Sequence, residues 1–504
     1  MFPYINDRKD SYGRDIALGL QEPSSPELGS KKVVVEFSSP NIASEFMGKH
    51  LRSTILGACI SNLYESMGWN VTKINYLGDW GKPIGLLGVG WEKFGSEELY
   101  QADAIGHLLD IYHKMDELFT PEQIASKMAR KKGEDPAEIE SKGLFAERNA
   151  FFKRMEDGDE TALKLWKRVR DVSIKNYRKL YSRLNVTFDE YSGESRVNPK
   201  TMIEIEEILK NKGLCDESGG SLMVDIKRHT GRAADGVGII RDRTGSSTYL
   251  LRDLAAVLER ARKYAFDKMI YVAADDNTAH FSRLFKVLEI MDISDLASKL
   301  QHISFNEASK MSEKMGRGHM LGDILDECQI AMHNSLKDNP EKAALLGNME
   351  ETATAVGITA LLTQELSAKR TSDHAFEINR MTSFESGTGP DLQYWYARLC
   401  SILKTSPATN NFSDEDMTSL QEDDEFDLVR LLIQYPDITH SAYKTLEPST
   451  ILAYLFNITT QLSYCFDEGQ DVNGPSPAQS MLCEATRRVL ENGMNLLGIA
   501  PVAK

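Results

Sequence analysis

Residues 36–54, EFSSPNIASEFMGKHLRST, lead from an apolar stretch into a helical pattern and carry Glu36, Asn41, Lys49 and His50 on the way. A loop at the carboxyl end of a strand that opens a helix is where an αβ domain holds a nucleotide. Unpaired backbone N–H groups and the positive end of the helix dipole favour phosphate there. A second feature with chemical reach is the basic run from Lys164 to Arg183, with Lys167, Arg168, Arg170, Lys175, Arg178 and Lys179. The commoner reading of such a run is a solvated helix face, and the other is contact with nucleic acid.

The elements that position these groups follow from periodicity. VVVEF (33–37) suits a buried parallel strand. From His50, the residues Leu51, Ile55, Cys59 and Leu63 recur every four positions and give one helical face. Gly68 ends that helix and 71–76 is the next strand, so the segment is a βαβ unit. Residues 96–215 read as a helical insertion. Beta character returns at 221–225, 238–240, 249–251 and 269–272, with a helix at 253–264, and is expected to complete one parallel sheet. From about 320 the pattern is helical, interrupted at 407–427 by a polar and acidic stretch expected to be a solvated loop. The last helix, 479–497, buries Leu482, Ala485 and Val489, with Leu496 a further candidate. The division expected is an irregular lead-in at 1–30, an α/β parallel-sheet domain at 31–377 and an all-α domain at 378–504.

A chain of 504 residues holds a large core and more than one domain. Its 41% hydrophobic and 27% charged residues are those of a globular protein. The mean hydropathy is −0.36, and no stretch is apolar enough to span a bilayer. MFPYINDRKDSYGRD at the start lacks the apolar core of a secretory signal. Six cysteines, at 59, 215, 328, 400, 465 and 483, form no CxxC pair and read as free thiols of a reducing compartment, with no metal site. A cytoplasmic protein is expected. The net charge of −16 argues against non-specific coating of nucleic acid, while a local basic face can still work on an acidic body.

EFSSPNIA (36–43), NYLGDWGK (75–82), SGES (192–195), YLLRD (249–253), FDKMIYV (266–272), TGPDLQY (388–394), EPST (447–450) and NGMNLLGIAPV (492–502) follow one another along the chain. In that order they resemble the arginyl-tRNA synthetases, most closely the eukaryotic, fungal cytosolic type. The resemblance runs from about Val33 to the C-terminus. It implies an α/β fold, with a Rossmann-type parallel-sheet catalytic domain bearing a helical insertion, followed by an all-α anticodon-binding domain. By the resemblance, the family's additional N-terminal domain is expected to be missing apart from the first 30 residues or so. The family reaction makes arginyl-adenylate from L-arginine and ATP with Mg2+, then passes the arginyl group to the 3′ end of tRNA. The partners implied are L-arginine and tRNA, with no membrane, and a monomer is expected.

By this resemblance the arginine ligands fall on Glu36, Asn41, Tyr249 and Asp253, with a fifth contact on Asn277, where the family has the longer Gln. A guanidinium is planar and always charged, so its selection calls for carboxylates and acceptors in a fixed fork. The plainer alternative makes Glu36 and Asp253 ordinary salt-bridge partners and Tyr249 a core residue.

The resemblance also implies nucleotide-binding roles for His50, His280, Met311 and Ser312, and catalytic roles for His50, Lys310 and Lys314. Here the pattern is broken. The family's His-x-Gly-His is Met47-Gly48-Lys49-His50, and an upstream Lys is Ser44, followed by Glu45 in place of Pro. The second signature, Lys-Met-Ser-Lys, becomes KMSEKMG (310–316), with Glu313 in place of the Lys. In a looser alignment Lys314 stands for Arg and Met315 for Lys. Losing one transition-state cation costs about 3–4 kcal/mol. Lys49, Lys310, Lys314 and Arg317 are the residues able to fill the gap, and His50 reads equally as a capping or core histidine. Asp79-Trp80-Gly81 and His280-Phe281 match further family features near the nucleotide.

Three functions therefore stand open. One is an arginine–tRNA ligase with ATP activation weakened or compensated. The second is a repurposed enzyme of specialised metabolism that uses arginine or arginyl-tRNA to form an amide or cyclodipeptide. The third is a non-catalytic arginine- or tRNA-binding regulator.

Overall fold

A computed structural model of the chain describes residues 2–44, 46–232, 236–306, 321–408, 420, 423–466 and 475–504. Its strands are β1 (Lys32–Glu36), β2 (Asn70–Leu77), β3 (Glu190–Gly193), β4 (Cys215–Ser218), β5 (Ser221–Val224), β6 (Gly238–Arg241), β7 (Lys268–Val272) and β8 (Leu300–Ile303). Five of them form a parallel sheet in the order β3-β2-β1-β7-β8. β1 is central, paired in register through Val33–Val71 and Val33–Lys268. Covered on both faces, it can be apolar at consecutive positions, and Val33, Val34 and Val35 are all buried. The expected βαβ unit is present: the Gly48–Ser66 helix crosses from β1 to β2, and Gly68 takes a φ of +82° just beyond it.

Several expected elements differ. Ser221–Val224 and Gly238–Arg241 do not extend the parallel sheet; with β4 they make a separate antiparallel sheet of three strands. Tyr249–Leu251 is not a strand but the first turn of the Tyr249–Tyr264 helix, whose Thr248 side chain caps Leu251. The insertion at 96–215 is not wholly helical, since β3 inside it supplies the edge of the parallel sheet. The first 30 residues hold a Phe2–Arg8 helix and three 3-10 turns. Phe2, Ile5 and Tyr12 are buried there, and the Tyr12 hydroxyl donates to the Leu432 carbonyl at 2.9 Å. Amphipathic anchoring, invisible in a polar composition, fixes that segment.

The C-terminal part packs the helices Gly389–Thr405, Asp423–Thr445, Ser449–Cys465 and Pro477–Leu496. Leu482, Ala485 and Val489 are buried in the last of these and Leu496 is half-buried. The stretch expected as a loop at 407–427 lies partly outside the described residues, but from Asp423 it is helix, with Glu425 buried.

Two charged ties join the helical part to the sheet. Arg52, in the Gly48–Ser66 helix, is fully buried and donates to both the carbonyl and the carboxylate of Glu365, at 2.6 and 3.2 Å. Arg370 pairs with Glu447 at 3.1 Å and donates to the Ser304 carbonyl just beyond β8.

Candidate active site

The carboxyl ends of β1, β2 and β7 open into a cavity of about 450 Å³. Glu36, the last residue of β1, stands at its floor, and the chain then turns through Ser38 and Ser39 at φ values of 69° and 47°. Left-handed conformations at non-glycine residues are strained and persist only where surroundings impose them. Here the hydroxyl of Ser53 accepts from the Ser38 amide at 2.8 Å and donates to the Val272 carbonyl at 2.6 Å, locking the turn to β7. Asn41 follows, bridged to Gly78 at the end of β2. A Cβ on Gly78 would lie 1.8 Å from Asn41 Oδ1, so only glycine lets that amide reach the cavity wall.

The Tyr249–Tyr264 helix supplies the facing wall. Tyr249 and Asp253, one turn apart, both line the cavity. Tyr249 is 53% exposed, so it is not a core residue. Two turns on, Arg260 places Nη1 at 2.5 Å from Glu36 Oε2, and its guanidinium lies over the Tyr76 ring. Burial pushes the Glu36 carboxyl up to about 7, against the pull of Arg260. Asp253 Oδ2 lies 2.6 Å from Nε2 of His280, on the Thr278–Ile290 helix. Asn277, between β7 and that helix, lines the cavity and donates to Asp276 Oδ1 at 2.6 Å.

All five residues expected to hold arginine thus meet in one cavity, drawn from three separate stretches of chain. His280 lines it too, but its nearest polar partner is Asp253, which ties it to the expected arginine wall. His50 lines the cavity as well. Its Nδ1 accepts from the Met47 amide at 3.0 Å and so caps the Gly48–Ser66 helix, while burial, with Lys49 beside it, lowers its pKa to about 3. The ring is neutral, and acceptance at Nδ1 puts its proton on Nε2, a neutral donor. Lys49 Nζ pairs with Asp276 Oδ2 at 3.2 Å. Lys310, Met311, Ser312 and Lys314, with Glu45, Glu313, Met315 and Arg317, lie outside the described residues.

Sequence reasoning missed Glu194, Arg260, Tyr76 and Tyr271, which also line the cavity. Glu194 pairs with Arg252 at 3.2 Å, and burial raises its carboxyl to about 8. The Tyr76 hydroxyl is buried with no hydrogen-bond partner, a polar group left for a ligand. Arg260 was findable, since it sits two helical turns after Asp253 on the same face. Asp79, expected near the nucleotide, is instead fully buried: it accepts from Arg170 Nε at 2.6 Å and from the Ser195 amide at 2.8 Å. Arg170 is therefore not part of a solvated basic face, and Arg168 is held by Glu97. Carboxyl groups, neutral amides and a deep tyrosine suit a planar cation.

The chain matches a family model described as tRNA synthetases class I (R), catalytic domain, over residues 19–378, and one described as the DALR anticodon binding domain over 392–504. It is 41% identical to a protein of Schizosaccharomyces pombe named probable arginine–tRNA ligase, cytoplasmic, covering 100% of this chain and 80% of the relative. It is 40% identical, with the same coverage, to the cytoplasmic arginine–tRNA ligase of Saccharomyces cerevisiae. Its identity to the probable mitochondrial arginine–tRNA ligase of Mus musculus is 36%, covering 96% and 80%. In fold it resembles the arginyl-tRNA synthetase of Plasmodium falciparum at a TM-score of 0.73 and 23% identity, covering 94% of this chain and 77% of the other.

Proposed function

Since the chain belongs to the class I arginyl-tRNA synthetases, a family of arginine–tRNA ligases, we propose that the cavity at the ends of β1, β2 and β7 binds L-arginine and activates it with ATP. The observation that carries this reading is the convergence of Glu36, Asn41, Tyr249, Asp253 and Asn277 on one cavity. Asp253 and Glu36 offer the carboxylates that a guanidinium needs, with Arg260 fixing Glu36 and His280 fixing Asp253. Asn41, Tyr249 and Asn277 supply neutral polar contacts.

In the reaction, a carboxylate oxygen of arginine attacks the α-phosphorus of ATP and pyrophosphate leaves. A 3′-terminal ribose hydroxyl of tRNA then attacks the arginyl carbonyl and AMP leaves. ATP arrives with Mg2+ as a substrate. His50 offers a neutral N–H at the nucleotide end of the cavity. Lys310, Met311, Ser312 and Lys314 are assigned to the same nucleotide by their place in the second signature stretch. The residues 378–504 read the anticodon end of tRNA, supported by the match to an anticodon-binding model. Action as a monomer is part of this proposal. We place the protein in the cytoplasm, the compartment named for the two yeast relatives, although the mouse relative is named mitochondrial.

Pyrophosphate exchange on the purified protein with total tRNA tests this reading. Exchange that requires arginine is the expected result. A second reading, arginine recognition without ATP activation, is favoured by Lys49 standing where the family has Gly and by the neutral His50. It predicts arginine binding with no exchange, and either a new amide product or no turnover.

A further inference from the structure

The cavity is rich in carboxylates, yet on the reading above it accepts a triphosphate. Among the described residues, its lining cations are Lys49 and Arg260, with His50 and His280. Arg260 is buried against Glu36 at the floor, and His280 is held by Asp253 at 2.6 Å. His50 is neutral, with Nδ1 on the helix cap and an uncharged N–H at Nε2. Only Lys49 is different in kind. Its partner is Asp276, at 3.2 Å, and the two side chains are 31% and 61% exposed.

Lys49 lines the cavity, while Asp276 lies outside its lining. Lys49 is the second residue of the Gly48–Ser66 helix, and Asp276 lies in the Asp275–Asn277 turn after β7. Exposed ion pairs contribute little to stability, so Nζ leaves Asp276 at small cost. A triphosphate carries several negative charges and would meet, beside Nζ, the positive end of a long helix.

We propose that Lys49 is the cation with which the first loop binds the ATP phosphates, and that Asp276 holds it in reserve and gives it up when ATP enters. The proposal rests on the function proposed above and deepens it. A lysine thus does from the first loop what the family does with a histidine and an upstream lysine, at a position where the family has glycine.

The test compares wild type with Lys49→Ala, Lys49→Arg and Asp276→Asn. ATP binding is read by equilibrium dialysis in the presence of Mg2+, ATP dependence by pyrophosphate exchange, and arginine affinity by calorimetry. The expected result is a 10²–10³-fold lower exchange rate for Lys49→Ala, about what removing one transition-state donor does. ATP binding falls with it, Lys49→Arg partly restores both, and Asp276→Asn binds ATP more tightly than wild type. Arginine affinity stays within about twofold in Lys49→Ala, which shows that the variant is folded. Undiminished ATP binding in Lys49→Ala overturns the proposal, as does an equal loss in Asp276→Asn, which would make the pair structural. If wild type binds ATP but catalyses no exchange, the proposed function fails while dialysis still decides the role of Lys49; a wild type that binds no ATP overturns both.

Discussion

His280 Nε2 and Asp253 Oδ2 stand 2.6 Å apart, joining two helices across a wall of the cavity that we propose binds the arginine side chain. Asp253 is thus already engaged before any ligand arrives. Burial draws the His280 pKa down, but the hydrogen bond and charge of Asp253 outweigh it and raise it above the ordinary value. Protonated His280 competes with a substrate guanidinium for the same carboxylate. Glu36, raised to about 7 by burial, is also less charged at low pH.

Both effects have one sign for binding. As pH rises, Glu36 ionises near 7 and His280 gives up its proton above the ordinary histidine value, so arginine affinity rises. Calorimetry between about pH 6 and 9 at constant ionic strength checks this, and His280→Gln is expected to remove part of the dependence. A flat profile in wild type would contradict the assignment. For stability the sign is opposite: a histidine raised in the folded state stabilises fully below its unfolded value near 6.5, and that contribution is lost as pH rises through the folded value.

Asp253→Asn keeps the shape of the wall and removes the charge. Loss of a charged partner buried in an interface costs about 2–5 kcal/mol, so arginine binding is expected to weaken by at least 30-fold, with the melting temperature little changed. Glu36→Ala also abolishes arginine binding but is less clean, since it strands the buried Arg260. Breaking one side of a buried pair costs about 3–5 kcal/mol of stability. The two variants therefore separate on thermal melts.

Gly78→Ala tests how Asn41 is held. The new methyl would overlap Asn41 Oδ1, and either that amide or the end of β2 shifts. Arginine affinity is expected to fall while circular dichroism stays that of wild type. Unchanged affinity would remove Asn41 from the binding set.

Arg170 belongs to a run that could be taken for a tRNA-binding face, but its guanidinium is buried on Asp79. Arg170→Met is expected to destabilise by about 3–5 kcal/mol, read as a lower midpoint in urea. Charge reversal at Lys164, Lys167 or Lys175, which are exposed, should leave the midpoint in place.

Much of this site was legible in the chain because its parts are local. An apolar run ending in Glu36, a four-residue helical period from His50 and a second strand at 71–76 each declare themselves within a few residues, and the order of longer stretches supplied candidate residues that line one cavity. What failed was partner choice. Ser221–Val224 reads as a strand, but nothing within it says which sheet it joins. Glu190–Gly193, polar and four residues long, carries no periodic signal and is a strand because the β2 edge pairs with it. Tyr249–Leu251 looks like a strand because two leucines follow a tyrosine; Leu251, Leu254 and Leu258 belong to the buried face of a helix. The Glu36–Arg260 pair joins residues more than two hundred apart in sequence, and only the folded sheet brings them together.

The account stands most directly on charging of total tRNA with labelled arginine by the purified protein. It predicts an alkali-labile arginyl ester on tRNA that requires ATP and is lost in Asp253→Asn. No ester from a wild-type protein that binds arginine, or undiminished charging by Asp253→Asn, would contradict it.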